Sequence, residues 1–108
     1  MQQKLLAVLF LSMFAFAAVA QTVHPVTAGD GMLQAALDAA ADGDIIELVD
    51  DGGIYLEAIP LEINKSITFR GNELLVAKPV IRGTVSGEAV FKVTGSDSKL
   101  QIENIEID

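Results

Sequence analysis

The sequence predicts an all-β chain folded as a parallel β-helix, a single-stranded solenoid of which these residues form an N-terminal capping helix and the first two to three coils. Three observations lead there. Beyond Asp44 the apolar residues alternate with polar ones in short runs interrupted by turn residues. Comparable runs recur at just over twenty residues, with 21 positions from Ile46 to Ile67 and 23 from Ile67 to Val90. One amphipathic helical stretch precedes them, where a solenoid must cover the apolar end that no neighbouring coil buries. A β-sandwich also consists of short, regularly spaced strands and is the alternative architecture.

Residues 1 to 20 are read first. Lys4 precedes an apolar run from Leu5 to Ala20 that is about as long as a secretory h-region and closes on Ala18-Val19-Ala20, a small-residue pattern of the kind signal peptidase accepts. The segment is read as a signal peptide cleaved before Gln21. A membrane anchor is the competing reading, but a span needs about 20 apolar residues and charged flanks, and the sequence after Ala20 is polar and uncharged. The expected location is therefore periplasmic or extracellular, with no stable membrane insertion after cleavage. The chain has no cysteine, which excludes a lipid-anchored lipoprotein and leaves stability to burial alone.

The 88 residues from Gln21 onward carry six Lys or Arg against fifteen Asp or Glu, a formal charge near −9. Phosphate backbones are bound by clustered cations, so nucleic acid is not an expected partner. The single histidine, His24, lies in the extended lead-in Gln21 to Ala28 before Pro25. With no partner nearby in sequence it is expected to be exposed rather than catalytic. Neither a Ser/His/Asp system nor a zinc site has the residues it needs.

Leu33, Ala36, Leu37 and Ala40 then recur with helical period, giving about ten residues of helix with one apolar face. Asp30 is the expected N-cap and Gly43 the left-handed residue that ends it. Strands are expected at Ile45 to Val49, Leu61 to Ile63, Ser66 to Phe69, Pro79 to Arg82, Ala89 to Val93, Leu100 to Ile102 and Ile105 to Ile107. In "SITFRG" Ile67 and Phe69 share one side and Ser66, Thr68 and Arg70 the other, so one side is buried and one wet. The run "LQIENIEID" stops in mid-alternation, and the reading is of the N-terminal piece of a longer protein.

The run "LQAALDAAADGDIIELVDDGGIYLEAIPLEINKSITFRG", followed by "KPVIRG", resembles the opening of the pectate-lyase-like right-handed parallel β-helix superfamily, and in particular secreted polysaccharide lyases of the chondroitinase B and alginate lyase type. The match covers about Leu33 to Asp108. It implies a right-handed solenoid acting on acidic polysaccharide, most naturally by β-elimination, with calcium a candidate cofactor of a full-length protein. In these lyases the catalytic groups lie on central coils; no position here matches such a motif, so no catalytic residue is assigned. A non-enzymatic adhesin or carbohydrate-binding β-helix is the alternative. Lys65, Arg70, Lys78, Arg82, Lys92 and Lys99 are spread out and read as solvated strand-face or turn residues.

Two patterns are candidate sites. Asp42, Asp44, Glu47, Asp50 and Asp51 offer the oxygens calcium takes, but the regular D-x-D-x-D-G spacing is absent. They read better as turn residues, and no metal is assigned. Asn104 suits either a side-chain amide ladder or a left-handed turn position, the turn being preferred.

Overall fold

The computed structural model describes residues 21–85 and 87–108; the signal-peptide reading falls outside them. Ten strands and one helix follow in order: β1 Val23–Val26, β2 Gly29–Asp30, α1 Met32–Ala39, β3 Ile45–Leu48, β4 Ile54–Glu57, β5 Leu61–Ile63, β6 Ile67–Gly71, β7 Val80–Gly83, β8 Phe91–Val93, β9 Leu100–Glu103 and β10 Glu106–Ile107. The strands form three sheets, β1-β3-β6-β9, β10-β7-β4-β2 and β5-β8. Each pairing within them is parallel. Parallel neighbours need a crossover between them, and here the crossover is the rest of a coil. Among the described residues the result is a β-solenoid of about three turns with one short helix, and the antiparallel sandwich is thereby excluded.

The core is a set of in-register columns. Ile46, Phe69 and Ile102 stack across β3, β6 and β9. Tyr55, Ile81 and Ile107 stack across β4, β7 and β10, and Leu61 stands over Phe91. Phe69 and Phe91 close the space between two sheets, their ring centroids 5.4 Å apart and tilted by 49°. Alternation is what makes this possible: in Ile67–Gly71 positions 67, 69 and 71 are buried and 68 and 70 half-exposed. The phenol of Tyr55, fully buried, donates to the Val26 carbonyl at 2.6 Å and accepts from the amides of Val49 and Asp50 at 3.1 and 3.3 Å. It thereby ties β4 of the second sheet to β1 and to the end of β3 in the first.

The register corrects the spacing inferred from sequence. Ile46 pairs with Phe69, not Ile67. The run containing Val90 is not the next rung of the same sheet, because β8 pairs with β5 on the third sheet and β6 pairs with β9. Rungs of the first sheet are 22, 23 and 33 residues apart (Val23 to Ile45, Ile45 to Thr68, Thr68 to Gln101). Those of the second sheet stay at 26 (Gly29 to Tyr55, Tyr55 to Ile81, Ile81 to Ile107). Strand β4 is not among the strands expected from sequence, since Ile54-Tyr55-Leu56 reads as an unbroken apolar run after four turn residues. The lead-in is itself a rung, β1, paired with β3.

Candidate functional site

The outward side of the first sheet carries a polar cleft built on three adjacent strands. Register places Glu47, Arg70 and Glu103 side by side on β3, β6 and β9. Asn72, Glu73 and Leu74, from the loop after β6, complete a cleft of about 380 Å³. Arg70 reaches Glu47 Oε2 through Nε at 3.2 Å and Nη2 at 2.7 Å, and Asn72 Nδ2 donates to Glu47 Oε1 at 3.3 Å. The guanidinium is therefore already occupied, and three carboxylates surround a single cation. Such a surface suits a hydroxyl-bearing neutral ligand and repels a uronate.

Of the five acids singled out from sequence, Glu47 belongs to this cleft and the other four do a different job. Asp42 Oδ1 accepts from the amide of Ser66 at 2.7 Å, Asp50 Oδ2 from Ala28 at 2.6 Å and Asp51 Oδ1 from Ala77 at 2.6 Å. Asp44, buried, accepts from Thr22, Ala41 and the His24 ring. Apart from Ala41, these partners lie a coil away, so the carboxylates stitch turns to their neighbours along the solenoid instead of bonding only their own backbone. Gly52 supplies the left-handed φ of 62° expected of the double-glycine turn. Among the described residues no group of three or more His, Cys, Asp or Glu is placed to hold a metal ion.

His24 is half-buried, with Nε2 2.9 Å from Asp44 Oδ2, against the expectation of an exposed residue. An ionised carboxylate only accepts, so Nε2 carries the proton in this contact. The bond from His24, with those from the Ala41 and Thr22 amides, holds the Asp44 carboxyl below the usual carboxylate range despite its burial. A depressed folded value means that the stabilisation is present above the unfolded value of about 3.9 and is lost as pH falls through the lower folded one. Asp44→Asn is accordingly expected to lower the melting temperature at neutral pH and to flatten its decline below about pH 4. Thermal melts at stepped pH check this; a mutant curve parallel to the wild type through the acid range would refute the assignment.

Of the basic residues read as solvated, Lys65 is engaged by the cap helix, whereas Arg82 stays exposed in a surface pair. Lys65 Nζ donates to the carbonyls of Leu37 and Ala40 at 2.8 and 2.6 Å, at the end of α1. Arg82 pairs with Asp108 at 2.6 Å on the exposed side of the second sheet. Helix α1 also departs from expectation at its start. Its N-cap is Gly31, left-handed at φ 71°, and no side chain from that position caps it. The acceptor comes from β4, where Glu57 Oε1 takes the Gln34 amide at 2.7 Å. Nothing local in sequence signals this, because Glu57 lies 23 residues beyond Gln34. Gly43 has the expected positive φ, in the turn into β3, but the helix stops at Ala39. Asn104 adopts the left-handed turn position, φ 54°, and its Nδ2 donates to the carbonyls of Gly71 and Asn72 at 3.3 Å each. It bonds backbone, not a second amide side chain.

No family model matches the chain, and no curated protein matches it.

Proposed function

We propose that residues 21–108 are the closing cap and first coils of an exported β-helix protein that acts on acidic polysaccharide as a lyase, by β-elimination on uronic-acid glycans, with its catalytic groups on coils outside this segment. The observation that carries the structural half of this reading is the inequality of the two solenoid ends. At one end α1 buries Leu33 and Leu37 completely. At the other, the inward columns finish in side chains left open to solvent, Val93 at 47 %, Ile102 at 40 % and Ile107 at 43 %, on the unpaired edge strands β8, β9 and β10. Apolar column ends and free parallel edges are what another coil would cover. The lyase half rests on the resemblance of Leu33 to Asp108 to that superfamily's opening.

The polar cleft over Glu47, Arg70 and Glu103 supports assigning no uronate subsite to this segment, since its charge is of the wrong sign. The same cleft favours the second reading, a non-enzymatic surface or secreted β-helix that binds neutral carbohydrate. Incubating the full-length gene product with alginate, chondroitin and pectate separates them. The lyase reading expects ultraviolet-absorbing unsaturated ends from at least one polymer; absence of product from all three, with retention on a neutral glycan column, selects the second.

A further inference from the structure

Helix α1 brings no charge of its own that suits its dipole: no acid lies in its first turn and no base in its last, where its one charged residue is Asp38. Both are supplied by the coil beneath. Glu57 accepts at the N-terminal amides and Lys65 donates to the C-terminal carbonyls, each matched to the helix dipole. The two clamps differ in one respect. Lys65 sits at the rim, half-exposed, whereas Glu57 is wholly buried, and its Oε2 has no hydrogen-bond partner. An ionised carboxylate with one oxygen unsolvated is costly to bury, and lifting the helix would restore its water.

We propose that Glu57 makes closure of the cap helix proton-linked, so that α1 seats more firmly on the solenoid as pH falls and loosens as pH rises. The charged groups around it set the direction. Asp30, on the neighbouring strand β2, adds negative charge. Asp38 on α1 is turned to the Gln34 side-chain amide at 2.9 Å, and Arg82 of β7 lies on the exposed side with Asp108. Lys65 is committed to the far end of the helix. Burial raises the Glu57 carboxyl above its ordinary value, opposed by the amides of Gln34, Leu33 and Gly31 and assisted by Asp30. A group with a raised value in the closed state favours closure fully below its open-state value, about 4.3, and the advantage is lost as pH climbs through the closed-state value.

The chain contains no cysteine, so one introduced thiol reports opening without background. Ala40→Cys, buried beneath the helix end, is labelled in the full chain across pH and normalised to Ala35→Cys on the exposed side of α1. Normalised labelling is expected to rise several-fold between about pH 4 and about pH 8. Glu57→Gln should abolish the rise, and Lys65→Met should increase labelling at every pH while keeping it. A flat wild-type profile overturns the proposal, as does a rise that survives in Glu57→Gln. If Glu57→Gln does not fold, Asp30→Asn decides: removing that negative charge must move the profile to lower pH, and a midpoint that stays in place or moves up overturns the proposal.

Discussion

Phe69→Ala is expected to cost about 3–5 kcal/mol, the range for removing a buried aromatic ring and leaving a cavity. Phe69 is fully buried at the centre of the column Ile46, Phe69 and Ile102, and it is the residue through which β6 meets Phe91 of the third sheet. Small domains hold only about 5–15 kcal/mol in total, so the variant should lose its cooperative transition near physiological temperature or retain it only weakly. Urea denaturation followed by circular dichroism measures the shift. Phe69→Leu, which keeps most of the volume, should stay within about 1.5 kcal/mol. Ile102→Ala tests the same column at its exposed end, and there less area returns to water. If Phe69→Ala shifted the midpoint no further than Ile102→Ala, the column would not be the core on which the coils depend.

The fold class was legible because the solenoid writes itself locally. Period-two burial in "SITFRG", turn residues between runs and one helical stretch before them each follow from a backbone rule acting over a few residues. Register was not legible, because it depends on which faces meet. "AVFKV" has the same alternation as "SITFRG" and gave no sign that it belongs to a different sheet. Strand β4 was hidden for a related reason: Leu56 faces outward yet is only half-exposed, so Ile54-Tyr55-Leu56 shows no polar partner in the alternation.

Side chains that act over a whole coil were the least legible. Asp42, Asp50 and Asp51 were recognised as turn residues, but their amide partners are 22 to 26 residues away. Glu57 is not singled out in the sequence at all, since no strand is expected over Ile54–Glu57. The missing signal was parity: 57 shares its side with Tyr55, and an acid on the buried side of a strand needs a partner worth looking for. The same parity argument would have moved His24, which shares the inward side of β1 with buried Val26.

Gly71→Ala is expected to be at least as damaging as Phe69→Ala, for a reason of space and not of conformation. A Cβ at Gly71 would collide with the Asn104 carbonyl oxygen and stand 3.1 Å from Cδ and Cγ of Pro79. The first contact is with backbone, which cannot rotate away. The Asn104 turn is held against this spot by its own Nδ2, bonded to the Gly71 and Asn72 carbonyls, so relief requires β6 and β9 to part. Overpacking of a well-filled interior costs about 1–3 kcal/mol and more when the backbone must move. Parting that pair also lifts Ile102 from Phe69, so the two effects add. Gly31→Ala and Gly87→Ala serve as contrasts: both sites are open, with nothing within 4 Å of the added carbon, but have positive φ, 71° and 85°. There the cost should be the conformational one alone, about 1–2 kcal/mol. Hydrogen exchange distinguishes the cases. In Gly71→Ala the amides of Ile67 and Glu106, which bond across coils to Lys99 and Pro79, should lose protection while that of Ile45, bonded to Thr22, keeps more of it. Equal loss in all three, or a Gly71→Ala midpoint no lower than that of Gly87→Ala, would mean that close approach of the Asn104 turn is not what Gly71 is there to permit.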